Sequence, residues 1–327
     1  MEAVASLSRE VLPQWSAELL TSTGIDNGWR ECGGIYLVGA TQPADDLLHQ
    51  TCRRWALRGI ESHELDEREV LALEPALARG TLVDSLAARA AVLIPREAQI
   101  RNPRHLRALA EACRGRGVTI LEQHRAEDFE TSANRIVAVR AGATRLVAGQ
   151  FCLTAGCWTG PLAEQLQLTL PTRPMRGQMV LLRSPTGPPI KHHVHFGGRY
   201  VVPRDDGQVL VGSTVEDVGY STDTTESAVG QLRDLAVRCG LGHLEFVRSW
   251  AGLRPGSADG LPYLGALPGW ENGWIAAGHV RAGLQFAPGT AIALAALMQG
   301  KRPPLDVGAL MPGRATTAGA IAPLGGR

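Results

Sequence analysis

The sequence predicts a mixed fold, α/β at its two ends and α+β between, on three observations. Helical periodicity alternates with short apolar strands up to about residue 168, strands dominate 169–249, and helix–strand alternation returns after 250. A length of 327 residues suggests about two domains at roughly 150 residues each. Apolar residues make up 44%, enough for a sizeable core, which excludes a disordered or fibrous chain.

The elements follow in order. Residues 6–21 read as a helix despite Pro13, with Leu7, Val11, Leu12, Trp15 and Leu19 on one apolar face. Residues 33–38 (GGIYLV) form a short strand and 44–57 an amphipathic helix. Asp66 is placed to cap a helix over 67–73, with Glu69 three residues on completing a capping box. Asn102 as cap and Pro103 in the first helical position open the next helix, whose stripe is Leu106, Leu109, Ala110 and Cys113. Gly115 and Gly117 end it, and 118–122 (VTILE) follows as a strand. Asn134-Arg135 turns a hairpin between 126–130 and 136–140. A buried strand at 151–154 enters a glycine turn at Gly156, and 158–166 is helical.

In the middle, strands are predicted at 175–182, 192–196 and 200–204. Asp205-Asp206-Gly207 is a hairpin turn into 209–213. A helix over 225–239 then crosses over. The last part holds a buried strand at 274–277, a glycine-bearing turn at 279–286 and a helix at 288–298 with Pro288 at its start. From 303 onward the Pro, Gly, Ala and Thr content reads as a loose tail. There is no internal repeat.

Composition excludes several functions. Lys+Arg 33 against Asp+Glu 32 leaves +1, so neither nucleic acid nor an anionic membrane is an expected partner. Six cysteines without a C-x-x-C argue against a disulfide framework and for a reducing compartment. The start, Met1-Glu2-Ala3, does not resemble a secretory signal, and the apolar span 287–298 falls short of the ~20 residues of a membrane helix. A soluble, cytoplasmic protein is expected; self-association into a homo-oligomer is left open. Only Lys191 and Lys301 are lysines, neither in a setting suited to Schiff-base chemistry, and no phosphate loop is present. Arginine, the planar fork for carboxylates, is where the search turns.

Residues 250–265 read WAGLRPGSADGLPYLG. Arg254, beside Pro255 in what reads as a glycine-rich turn at a strand's end, is a pre-set guanidinium that can take a carboxylate bidentately. The alternative pairs Arg254 with Asp259 to hold the turn. Residues 277–290 read AGHVRAGLQFAPGT: strand, glycine turn, helix. That geometry places a ligand's polar group against backbone N–H groups, and glycines allow close approach to a flat ring. The alternative is an ordinary connecting loop.

Together these segments resemble the W-A-G-x-R-P-x-x-x-D-G-x-P-x-[IL]-G and G-H-x-R-x-G-x-x-x-A-P patterns of the glycine oxidase and D-amino-acid oxidase family of FAD-dependent oxidoreductases. Arg173-Pro174-Met175-Arg176-Gly177-Gln178-Met179, Tyr200-Val201-Val202-Pro203-Arg204 and Leu153-Thr154-Ala155-Gly156-Cys157-Trp158-Thr159 resemble further family stretches. The resemblance runs in one order from about Ser6 to Pro304, and the glycine oxidase branch, tied to thiamine biosynthesis, fits best.

The resemblance implies an incomplete FAD-binding Rossmann-like domain over 91–168 and 250–300. It also implies a substrate-binding domain with a mostly antiparallel sheet over 1–90 and 169–249; the flexible tail at 303–327 is read from composition. It implies FAD as cofactor, a small amino acid or amine as substrate and dioxygen as oxidant. Arg254 resembles the arginine that grips the substrate carboxylate, Tyr200 the tyrosine lining the same pocket, and Arg281 a second arginine beside the flavin. His279, Gly283, Leu284 and Gln285 fall where backbone meets the isoalloxazine. Ala126 falls at the adenine, and Thr154, Ala155, Gly156 and Trp158 at the cofactor turn. Tyr200 and Trp158 are equally readable as packing residues. In such enzymes a neutral amine lets hydride leave Cα for flavin N5, so the protein supplies position rather than acid–base groups.

One departure stands out. No G-x-G-x-x-G fingerprint is present; Gly115-Arg116-Gly117 ends a helix and lacks the third glycine. The expectation is an N-terminally truncated chain lacking the first βαβ element. Either the reading frame starts late, or this is a catalytically silent relative acting as a non-enzymatic or partner-dependent module. Val215 stands where relatives often carry a bulkier residue. His192-His193-Val194-His195 invites a metal reading with Glu216 or Asp217. The spacing is not that of a metal motif, and a polar strand near a pocket mouth is preferred, with no metal expected. Cys157 reads as a small buried thiol.

Overall fold

A computed structural model describes residues 1–39, 50, 52, 53, 55–81 and 86–314. Most of the helix predicted at 44–57, and the tail from 315, lie outside the described residues.

The first helix, α1 (Glu2–Thr23), ends on Gly24 in the left-handed conformation. The short β1 (Arg30–Glu31) precedes β2 (Gly34–Gly39) and β3 (His63–Leu65). The helix α2 (Glu67–Leu73) carries the predicted capping box: Asp66 accepts from the Glu69 N–H, and the Glu69 side chain accepts from the Asp66 N–H. After β4 (Leu86–Ile94) and β5 (Ala98–Gln99) comes α3 (Asn102–Gly115). Its N-cap is Arg101, not Asn102. Asn27 O holds the Arg101 N–H at 2.8 Å, and the chain turns one residue earlier. Its buried stripe is also shifted, to His105, Ala108 and Ala112 against Leu19 of α1. Two alanines let the helices approach closely, and Leu106 is left 57% exposed.

The strand predicted at 118–122 does not form. Among the described residues no strand lies beside it to complete a ladder, and Val118, Ile120 and Leu121 face solvent. Next come β6 (Asp128–Ser132), β7 (Arg135–Ala141), β8 (Thr144–Val147), β9 (Phe151–Leu153) and α4 (Thr159–Gln165). The β6–β7 turn is made by Ala133 and Asn134, with Ala133 at φ 50°. The middle holds β10 (Thr172–Arg183), β11 (His193–Phe196), β12 (Arg199–Pro203) and β13 (Gln208–Gly212). They are followed by α5 (Glu226–Arg238), capped by Thr225, and the long β14 (Glu245–Ser257). Last are β15 (Tyr263–Ala266), β16 (Gly273–Ala277) and α6 (Gly283–Met298). This helix starts five residues before Pro288; the N–H that proline lacks is the one that would reach Leu284.

Eight strands form one sheet in the order β14-β10-β13-β12-β11-β2-β4-β3, antiparallel except for the β11–β2 pair. One row across it, Ile35, Val194, Val201, Val211 and Val180, is at most 1% exposed and packs toward α2 and α5. The row one residue along each strand, Tyr36, His195, Tyr200, Gly212, Met179 and Trp250, faces the other side. A one-residue slip would exchange the two rows, so burial of the valines fixes where the polar side chains stand. A second sheet, β15-β16-β9, sets β9 parallel to β16, and β6-β7-β8 is a separate meander.

The residues after Arg302 differ from the expected loose tail as far as 314. Val307 and Leu310 are buried against α1, β15 and α6. Arg314 bonds Asp259 at 2.8 Å and lies 4.4 Å over the Tyr263 ring.

Two outcomes follow from this packing. Leu232→Ala, which empties a fully buried position of α5, lowers unfolding free energy by about 2–5 kcal/mol in urea titration. Hydrogen bonds from Arg314 hold the Asp259 carboxyl below its ordinary value. A lowered carboxylate stabilises docking above the ordinary aspartate pKa of about 3.9 and stops doing so as pH falls through the lowered value. Limited proteolysis between 300 and 314 therefore rises in acid for the native chain and already at neutral pH for Arg314→Ala.

Candidate active site

Arg254 is not in a turn. It lies within β14, opposite Met175 of β10, and Pro255, Gly256 and Ser257 continue the same ladder. Its guanidinium lies over Gly177, where any Cβ would collide with it. This is the physical reason a glycine interrupts an otherwise well-filled strand. Nη2 donates to Ser213 Oγ at 2.6 Å and Nη1 to Thr214 O at 3.2 Å. The alternative pairing with Asp259 is overturned, because Asp259 is held by Arg314. Among the described residues no carboxylate pairs with Arg254, which is only half exposed.

Two other predicted residues join it. Tyr200, on β12, bonds Met179 Sδ at 3.6 Å and is near enough to Arg254 to act on its charge. Arg281 donates to Gly198 O at 3.0 Å, just before β12. Burial pulls the Arg254 guanidinium below the ordinary arginine range; Tyr200 opposes this and the charge of Arg281 adds to it. Three residues from separate stretches thus converge on one half-buried positive centre.

The turn after β16 runs beside this centre. The Val280 N–H donates to Pro255 O at 2.9 Å, tying the turn to the Arg254 strand. Gly278 and Val280 both have positive φ, 80° and 51°, and the second is costly for a β-branched residue. His279 is half-buried and bonds Thr290 Oγ1 at 3.0 Å; its partial burial lowers its pKa. The helix α6 then begins at Gly283 with no side-chain cap, so the N–H groups of Gly283, Leu284 and Gln285 point from an open helix start. Because β9 and β16 are parallel neighbours, Thr154, Ala155 and Gly156 leave the same end of the sheet as Gly278 and His279. Trp158 closes the turn that begins at Gly156, its N–H donating to Ala155 O at 3.0 Å; it is half exposed and stacks on Tyr220 at 5.8 Å. Ala126 precedes β6 in the separate meander.

The family model described as FAD dependent oxidoreductase (DAO) matches residues 1–297. The chain belongs to the DAO family of FAD-dependent oxidoreductases. A glycine oxidase of Pseudomonas aeruginosa is 33% identical over 309 residues, 93% of this chain and 80% of that protein. The bifunctional protein ThiO/ThiG of Trichormus variabilis is 28% identical over 302 residues, 90% of this chain and 44% of that protein. The crystal structure of glycine oxidase from Geobacillus kaustophilus superposes with a TM-score of 0.89 at 28% identity, covering 96% of this chain and 83% of that one. The DAO-like combination of a large, mostly antiparallel sheet with a second α/β part is the fold the sequence predicts.

Sequence reasoning did not find Ser213, which orients Arg254, nor the part Gly177 plays in seating it. The only local signal was the glycine inside RPMRGQM. Gly177→Ala is expected to displace the guanidinium and weaken binding of a small carboxylate such as acetate about tenfold or more by calorimetry, with the circular dichroism spectrum unchanged.

Proposed function

We propose that this DAO-family chain is an FAD-dependent oxidase of a small amino acid or amine, glycine-like in its carboxylate-bearing end. The overall reaction takes substrate, water and dioxygen to an oxo acid or aldehyde, ammonia or a shorter amine, and hydrogen peroxide. One observation carries the reading: Arg254 is half buried, oriented by Ser213 and Thr214, and without a carboxylate partner among the described residues. A guanidinium held this way lacks only the anion that its fork geometry fits.

The residues at the β16 turn fit the flavin. Gly278 and Gly283 present little bulk, and the start of α6 offers uncapped N–H groups to an electron-rich ring edge. Ser257 Oγ, buried and without a partner among the described residues, lies against Gly278. His279, Gly283, Leu284 and Gln285 would hold the isoalloxazine, and Thr154, Ala155 and Gly156 the neighbouring part of the cofactor; Trp158 and Ala126 are assigned to its outer parts by resemblance. FAD, when bound, supplies the hydride acceptor.

The chain's own residues then work by position. Arg254 grips the substrate carboxylate with the Nη edges not taken by Ser213 and Thr214, which fixes the direction of Cα. Tyr200 borders the carboxylate, and Arg281 adds positive charge at the open side. No side chain in this group is suited to a general base, in keeping with an amine that reacts in its neutral form. The six cysteines are free thiols, and among the described residues no helix is long and apolar enough to cross a membrane. Both support a cytoplasmic setting, and the resemblance to the glycine oxidase branch supports a place in thiamine biosynthesis.

The test is direct. Purified protein supplied with FAD is expected to be yellow and to form peroxide with glycine or sarcosine. Arg254→Ala should lose about 2–5 kcal/mol of substrate binding and transition-state stabilisation, read as a fall in kcat/KM, while the flavin absorbance stays. Normal turnover in that variant, or colourless native protein that forms no peroxide, overturns the assignment.

A further inference from the structure

On the face of the large sheet that carries Tyr200, a second cluster of chemistry-bearing side chains stands on the neighbouring strand. His193 and His195 alternate on β11 and so share a face. Glu97 reaches them from the turn between β4 and β5. Its Oε1 lies 2.8 Å from His193 Nδ1 and 2.7 Å from His195 Nε2. All three donor atoms fall within 4.8 Å of one another.

We propose that Glu97, His193 and His195 form a binding site for a divalent first-row transition-metal ion of the zinc class. The histidine pair is visible in the sequence, but its carboxylate is not, because Glu97 lies 96 residues upstream of His193. Glu216 and Asp217, the local candidates, are held by Arg176 and Arg173.

Three features beyond proximity support it. Each donor is oriented by a second contact, as metal ligands are. Tyr36 OH donates to Glu97 Oε2 at 2.7 Å, Cys32 Sγ lies 3.2 Å from His193 Nε2, and Tyr36 stacks on the His195 ring at 4.1 Å. Space has been cleared for the carboxylate: a Cβ at Gly34 would occupy its position. Access is graded too, with the side chains of His193 and Glu97 6% and 18% exposed and that of His195, at 24%, open enough to admit an ion. Two imidazoles and one carboxylate suit zinc, cobalt or ferrous ion rather than magnesium or calcium, which favour all-oxygen sites. Three protein ligands leave a further position for water. His195 pairs with Tyr200 across the sheet, with rings 6.2 Å apart, so the ion would stand beside Tyr200 without using it as a ligand. The site does not depend on the oxidase reading.

Metal-stripped protein, titrated at neutral pH with Co2+ (read by its visible absorption) and with Zn2+ (by calorimetry), is expected to bind one equivalent of either. Glu97→Gln and His195→Asn should lose that equivalent, and Tyr36→Phe, which keeps all three ligands, should bind about 10–100-fold more weakly. His63→Ala, an exposed histidine outside the cluster, should bind as the native protein does. No ion bound by the native protein, or an unchanged equivalent in His195→Asn, overturns the site and leaves Glu97 as a carboxylate hydrogen-bonded to two histidines. Should Glu97→Gln fail to fold, His195→Asn and Tyr36→Phe still decide it.

Discussion

The register of the eight-stranded sheet is the constraint from which the rest follows. Five aliphatic side chains at matching positions on β2, β11, β12, β13 and β10 are sealed against α2 and α5. Each fully buried one is worth about 1.5–3 kcal/mol relative to exposure. Their burial leaves the chain no freedom in how the opposite face is composed. That face carries Tyr36, His195, Tyr200 and Met179 in a line, and Arg254 on the edge strand beyond. The polar chemistry is therefore positioned by residues that take no part in it.

The turn after β16 depends on that sheet through one backbone hydrogen bond, Val280 N–H to Pro255 O. It joins the residue following Arg254 to the residue preceding Arg281. The two guanidinium groups are thus set by the same short connection, and the left-handed conformation of Val280 is held there despite its cost. Strain of this kind persists where surrounding contacts over-determine the backbone, as the ladder of β14 with β10 does here.

Periodicity and turn chemistry made most of the fold legible. The capping box at Asp66 and the Asp205-Asp206-Gly207 hairpin are local, and local rules found them. The failures have tertiary causes. Residues 118–122 have the composition of a strand but no described partner, and a strand is a property of two segments. Leu106 fits a helical stripe, yet α3 buries the face whose alanines let α1 come close. Residues 303–314 lack periodicity but dock through single anchors, Val307, Leu310 and Arg314, which no repeat would announce. Of the proposed site, Arg254, Tyr200 and Arg281 were singled out through resemblance. Ser213 and Glu97 were not, because each acts on a residue far away in the chain.

What the sheet does with charge completes the argument. The charge of Arg281 bears on the half-buried Arg254, and no described carboxylate offsets it. A packed core would remove such a pair, because apolar replacements of similar volume are often no less stable. Ser213 and Thr214 O satisfy part of the donor set of Arg254 but supply no negative charge. Among the described residues none supplies that charge, and a carboxylate bound there would relieve the repulsion as it forms its hydrogen bonds. Under the proposed reading, anion binding at this point is favoured twice, by contacts made and by repulsion removed, and that would give a small acid its hold on the site.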